Sequence, residues 1–273
     1  MKSLFDPRAQ AQEAVPAQAP AKAPVLAVFS LAGGVGKTSL VASLGRALSS
    51  RGERVVLVDT AAYGLLPFFF GARDQRPGVL RTFNPPGSSV DAPVQLLALD
   101  PESQPVDGNG QDPMAQEILR NGQGASRILV DLPTASGATT RRILRLNPVV
   151  LVPVIPDMNS VVSVGAIEAF FRNQNHVTGI QAMPYYVLNQ FDTSQPLHQD
   201  VREILREQIG DRLLPFALRR SPAVSEALAE GMTVIDYAPN GQVTEDYANL
   251  AGWVRSFSAP ANLAPRGIRW SER

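Results

Sequence analysis

"SLAGGVGKTSL" occupies Ser30–Leu40, and its surroundings decide the fold. The run before it, "VLAVFS" (Val25–Ser30), is continuously apolar apart from its last residue, the pattern of a strand buried on both faces. After it, Leu40, Val41, Leu44, Ala47 and Leu48 recur at helical spacing through Thr38–Ser50, and Arg51-Gly52 supplies the stop. A strand, a glycine-rich turn and a helix opening at Lys37-Thr38 together make an anion site. Bare backbone N–H groups point inward, and the helix N-terminus adds a favourable dipole. The nucleotide-binding residues expected from the stretch are Gly33, Gly34, Val35, Gly36, Lys37, Thr38 and Ser39. Lys37 is spaced to reach the β- and γ-phosphates, and the Thr38 hydroxyl to sit on Mg²⁺. One letter departs from the strict G-x-x-x-x-G-K-[ST] pattern: Leu31 stands where its first glycine belongs.

Working outward, "RVVLVD" (Arg54–Asp59) reads as a second buried strand ending in an acid. "VQLLALD" (Val94–Asp100), "RILVDLP" (Arg127–Pro133), "PVVLVPV" (Pro148–Val154) and "PYYVLN" (Pro184–Asn189) repeat the strand pattern. Helical segments are expected over Pro113–Asn121, Gly137–Leu146, Val161–Gln174 and Leu197–Ile209, with two more near Ala223–Glu230 and Gln242–Phe257. Strands alternating with helices imply an α/β fold, a single doubly wound, mostly parallel sheet with helices on both faces. Gly71–Asp91 and Pro101–Asp112 are Pro/Gly-rich and read as long surface loops. The division expected is a disordered leader over 1–24, rich in Ala, Gln and Pro, one domain over 25–258, and a flexible tail over 259–273.

In a parallel sheet, acids at strand C-termini face the ligand crevice. Asp59 ends the second strand, and Asp131 ends "RILVD" and is followed by Leu-Pro, a Walker-B-like arrangement. With Thr38, these are the expected Mg²⁺ residues, acting partly through water.

The chain has no cysteine, which excludes disulfides, thiolate-held zinc and an iron–sulfur cluster. His176 and His198 lie far apart and have no metal-ligand spacing. Formal net charge is zero, so there is no global pull toward nucleic acid or anionic lipid. No apolar run approaches the roughly 20 residues of a membrane span, and the N-terminal stretch has no signal-peptide core. A cytoplasmic location is expected.

These pieces together resemble the MinD/ParA superfamily of deviant-Walker ATPases. The likeness is carried by "AGGVGKTS", "VVLVD", "ILVDLPTASG", "VVLVPVIPDMNSV", "VLNQFD" and "RRSPAVSEALAEGMTVIDYAP…YANLAGW". Within that superfamily the chain is most similar to the BcsQ (YhjQ) group of bacterial cellulose-synthesis operons. "VDTAAYGLL", "ILVDLP", "LLPFALRRSPAVSEALAEG" and the closing "LAGW" carry that likeness, while Arg220-Ser221 departs from the group's Arg-Asp. The resemblance implies a homodimer that sandwiches ATP and Mg²⁺, adenine recognition at Asn189, and partners in a membrane cellulose synthase complex that recruit the protein to the inner membrane. It also implies a defect. The superfamily's signature lysine falls at Ala32, and the water-orienting aspartate of VDxD falls at Ala61. A methyl neither orients water nor supplies positive charge, so very slow hydrolysis is expected. The alternative is an active positioning or partition ATPase that binds DNA or membrane.

Three further features bear on partners. Phe68-Phe69-Phe70 is read as core packing rather than a partner patch. Arg141-Arg142 and Arg219-Arg220 are read as ordinary helix-end and loop arginines, so DNA binding is not expected. The last helix has an apolar face (Leu250, Trp253, Val254, Phe257) but low basic content, with Glu245 and Asp246 near its start, and is expected to dock on the protein's own sheet.

Overall fold

The structure is a computed structural model of the chain and describes residues 23–257 apart from 62–63, 74–75, 86–89, 109, 135–136 and 180. The expected leader and tail lie outside these residues, except for positions 23 and 24.

In chain order the elements are β1 (Val25–Val28), α1 (Lys37–Ser49), β2 (Val55–Asp59), a 3₁₀ turn (Leu66–Phe70), β3 (Leu80–Phe83), β4 (Val94–Ala98), α2 (Pro113–Asn121), β5 (Arg127–Asp131) and α3 (Gly137–Leu144). There follow β6 (Val149–Val154), α4 (Met158–Thr178), β7 (Pro184–Phe191), α5 (Pro196–Ile209), a 3₁₀ turn (Gly210–Arg212), β8 (Leu213–Arg219), α6 (Ala223–Ala229), α7 (Val234–Tyr237) and α8 (Gln242–Phe257). The described strands form one eight-stranded sheet in the order β3-β4-β2-β5-β1-β6-β7-β8. Every pairing is parallel except β3 with β4. The α/β sheet read from the sequence is the one observed.

Side chains alternate across each strand, and both faces are buried. Ala27, Val56, Val58, Val130 and Val152 pack with Met114, Ile143, Phe171 and Leu205 from α2 to α5. Leu26, Val28, Leu57, Leu129 and Leu151 pack on the other side with Leu40, Leu44 and Leu48 of α1 and Tyr247, Leu250 and Val254 of α8. Leu250, Trp253 and Val254 of α8 therefore dock on the fold as expected, Trp253 lying edge-on to Tyr185 at 5.3 Å between ring centroids, while the Phe257 side chain lies outside the described residues. Phe69 and Phe70 are core, whereas Phe68 is exposed.

Both edges of the sheet were missed. β3 lies inside the stretch read as a loop, and its residues alternate between exposed and half-buried. β8 contains Pro215, which removes a ladder donor and is tolerated because β8 is an edge strand. Helix α4 runs longer than its apolar spacing suggested. Asp157 caps its start by accepting from Ser160 N–H at 2.7 Å, and Gly179 ends it in a left-handed conformation.

The sheet order reverses around β1. The chain leaves β1 toward β2 on one side, while β6, β7 and β8 build outward on the other. The crevice at the C-terminal ends of the strands around such a reversal is where open α/β sheets hold ligands, and the glycine loop opens there.

Candidate nucleotide-binding site

The loop after β1 turns on two left-handed glycines, Gly34 (φ 75°) and Gly36 (φ 85°). Gly36 is the N-cap of α1. It has a second reason to be glycine, since a β-carbon there would strike the side-chain amide nitrogen of Asn189. Lys37 opens the helix and is buried. Its Nζ donates to Ser30 Oγ at 2.9 Å and to Thr134 Oγ1 at 2.7 Å. An ammonium has three protons, so those two bonds leave one for a phosphate. Burial lowers the Lys37 pKa, and Asp131 opposes that shift.

Thr38 Oγ1 donates to Asp131 Oδ2 at 2.6 Å. Parallel pairing of β2 with β5 sets Asp59 directly beside Asp131, so the two acids end neighbouring strands at one level. Asp131 is buried, and its Oδ1 has no partner. Burial, with the nearby Asp59 charge adding to it, pushes the Asp131 carboxyl up to about 7, against the Thr38 hydrogen bond and Lys37. Asp59 accepts from Ala61 N–H at 3.0 Å and Leu66 N–H at 3.3 Å. That carboxylate leaves no room for a β-carbon at Gly64.

The donor set fits a divalent cation. An orphaned buried carboxylate oxygen, a second carboxylate beside it and a threonine hydroxyl make the hard-oxygen group that Mg²⁺ takes when phosphates and water complete its shell. Thr38 and Asp131 would hold it, with Asp59 in support, and it would neutralise phosphate charge. Among the described residues no cluster of three or more His, Cys, Asp or Glu offers an all-protein cage.

Beside the loop lies a cavity of about 830 Å³ whose lining includes Gly36, Ser39, Asn189, Asp192, Arg219 and Pro222. It joins the phosphate cradle to the β7 and β8 ends and has room for a nucleoside. Asn189 stands at this junction. Its Nδ2 donates to Val35 O at 2.8 Å and its Oδ1 accepts from Gln190 N–H at 3.0 Å, which leaves one Oδ1 lone pair uncommitted on a residue that lines the cavity. Ser30, Thr134 and the β8–α6 wall were missed from sequence. The available signals were faint: a hydroxyl just before the loop, and another three residues after Asp131.

Ala32 is exposed and Ala61 half-buried. One arginine of each pair is engaged by an acid, whereas Arg141 and Arg220 are exposed. Arg142 pairs with Asp112 at 2.7 Å and also donates to the carbonyls of Pro101 and Gln104. Arg219 makes a two-pronged contact with Asp246, its closest approach 2.8 Å.

A glycine loop, a pair of acids and an adjoining cavity meet at the sheet reversal, the arrangement of the P-loop fold. The CobQ/CobB/MinD/ParA nucleotide binding domain model matches residues 26–234, and the chain belongs to that family. It is 24% identical over 264 residues to the cellulose biosynthesis protein BcsQ of Salmonella typhimurium, covering 90% of this chain and 99% of that protein. It is 27% identical over 248 residues to the chromosome partitioning protein ParA of Caulobacter vibrioides, covering 83% and 92%. Among solved structures, the septum site-determining protein MinD of Pyrococcus horikoshii, complexed with Mg-ADP, superposes with a TM-score of 0.64 at 17% identity, covering 86% and 97%.

The acid pair sets a pH prediction. The Asp131 carboxyl is raised from an ordinary 3.8 to about 7. Its burial is therefore tolerated below about pH 4 and costs stability progressively as pH rises to about 7. Asp131→Asn removes that penalty. Without Mg²⁺ it raises Tm at pH 8 and leaves Tm unchanged near pH 4, as read by calorimetry. An equal gain at both pH values would show that Asp131 is not strained by its charge.

Proposed function

We propose that the protein is an ATP-binding, ATP-dependent dimeric switch or scaffold that supports assembly, localisation or regulation of a bacterial cellulose synthase complex, with weak or absent hydrolysis. One observation carries the reading. Lys37, Thr38 and Asp131 stand together at the glycine loop, Lys37 bonded to Thr134 and Thr38 to Asp131, as a triphosphate and its cation would require, whereas positions 32 and 61 offer only methyl groups. Gly33–Ser39 hold the phosphates, and the Asn189 carbonyl faces the base, where it accepts from the amino group of adenine. ATP closes a homodimer across its exposed loop, and dimer stability follows ATP concentration through linkage. Slow cleavage makes the dimer a lasting assembly platform rather than a timer. No helix among the described residues is long and apolar enough to cross a membrane. On this reading the protein is cytoplasmic and reaches the inner membrane through its partners.

The matched BcsQ protein supports the cellulose assignment by its name and nearly full-length coverage. The ParA match, at similar identity, supports a second reading: an active positioning or partition ATPase on DNA or membrane. The engagement of Arg142 and Arg219 by acids weighs against those two as DNA contacts, and Arg141 and Arg220 remain exposed for the second reading. Light scattering coupled to gel filtration decides the first reading. ATP–Mg²⁺ is expected to double the mass, and an unchanged mass with ATP demonstrably bound removes the sandwich. Steeply salt-dependent DNA binding with partner-stimulated turnover would favour the second.

A further inference from the structure

An anion cradle requires loop N–H groups to face inward, so the loop carbonyls must be turned away and satisfied elsewhere. Three side chains do this. Ser30 Oγ donates to Ala32 O at 2.6 Å, Gln190 Nε2 to Gly34 O at 3.3 Å, and Asn189 Nδ2 to Val35 O at 2.8 Å. Asn189 and Gln190 are neighbours on β7, and in a regular strand neighbours point to opposite faces. Both reach the loop because β7 bulges here. Leu188 pairs with Ala217 and Phe191 with Arg219, so three steps on β7 face two on β8. Gln190 is the residue in the left-handed region, at φ 56°. That conformation is strained for a residue with a β-carbon, and strain of this kind persists where the surroundings hold it for a purpose. Bulges commonly re-aim side chains beside functional sites.

We propose that Gln190 is a positioning residue, and that the β7 bulge exists to bring its amide, beside that of Asn189, onto the glycine loop and hold the phosphate cradle open. The inference rests on the nucleotide reading above and extends it to a residue outside the loop motif. The bulge presets the N–H groups before phosphate arrives, so the ligand loses less affinity to loop ordering. This preorganisation compensates in part for the absent lysine at position 32.

Because the strain and the amide sit on one residue, they can be separated. Gln190→Gly removes the amide but occupies the left-handed region freely. Gln190→Met keeps the side-chain bulk and the strain but has no donor. ATP–Mg²⁺ affinity is measured by calorimetry and inorganic pyrophosphate affinity by competition, with Tm alongside. Both variants are expected to bind ATP and pyrophosphate about 3- to 10-fold more weakly, in line with one lost hydrogen bond. The glycine variant is expected to melt no lower than the unaltered protein. A residue that merely supports the fold would lower Tm and affinity together, and that result overturns the proposal. So does a loss confined to ATP with pyrophosphate unchanged, because the amide would then serve the base. Unchanged affinity for both ligands in both variants also overturns it. If the unaltered protein binds neither ligand, the nucleotide reading itself falls, and this inference with it.

Discussion

Replacing Lys37 with alanine is expected to reduce ATP affinity by at least about 10²-fold, below detection in most titrations. Lys37 is the only side-chain cation that the glycine-loop stretch brings to the cradle, and its ammonium is already aimed by Ser30 and Thr134. Hydrogen bonds to charged groups contribute about 1.5–3 kcal/mol each, and Lys37 makes two to the β- and γ-phosphates once its bond to Ser30 or Thr134 is exchanged for one to phosphate. Two lost contacts therefore correspond to roughly 10²- to 10⁴-fold at about 1.4 kcal/mol per decade. The fold should survive. Lys37 is buried and carries a desolvation penalty that lowers its own pKa, so removing the charge relieves one cost while exposing another. Asp131 loses a nearby positive charge that had been holding its carboxyl down. Tm at pH 8 should therefore shift only modestly, while isothermal titration with ATP–Mg²⁺ shows no saturable heat. If Lys37→Ala binds ATP within about threefold of the unaltered chain, the cradle does not work through this lysine, and the site has been placed wrongly.

The parts of this site that could be read from sequence are those whose partners are local or whose position follows from the strand pattern. β1, β2, β5 and β6 are buried on both faces, so their apolar runs are unbroken and their ends are easy to locate. That is why Asp59 and Asp131 could be assigned to one crevice before their register was known. The edge strands carry no such signal. β3 faces solvent at alternate residues, and β8 contains a proline. Contacts made across the fold were equally silent. Thr134 lies 97 residues from the lysine it holds, and Gln190 lies 156 residues from the carbonyl it turns. A strand bulge is a property of the pairing between two strands, so no reading of "VLNQFD" alone could show that Asn189 and Gln190 share a target. Gly64 is glycine because a carboxylate from β2 folds over it, a constraint visible only once the loop has closed.

If the protein holds ATP as proposed, placing an aspartate at position 61 and a lysine at position 32 is expected to make it a cleaving enzyme. Ala61 follows β2 by two residues, and its N–H is fixed by Asp59 Oδ1. A side chain added there starts from a backbone anchored beside the cation site. Ala32 is exposed at the front of the loop, so a lysine at that position meets no steric barrier and extends toward whatever lies across the loop, which in the proposed dimer is the partner's phosphate. Removing one preorganised transition-state contact from an enzyme commonly costs about 10²- to 10³-fold in rate, and installing one recovers less because its neighbours are not tuned to it. Ala61→Asp alone should therefore raise steady-state ATP hydrolysis by about 10-fold. Ala32→Lys combined with Ala61→Asp should raise it by about 10²-fold, with the added lysine effective only at protein concentrations where the dimer forms. Phosphate release measured across a dilution series reads both effects. A third acid placed near Asp59 and Asp131 also adds negative charge beside the cation site, so both variants carrying Ala61→Asp should need less Mg²⁺ to reach full rate. The decisive comparison is the unaltered chain. If it already releases phosphate as fast as the double variant, Ala32 and Ala61 are not what limits cleavage, and the protein is a timer after all.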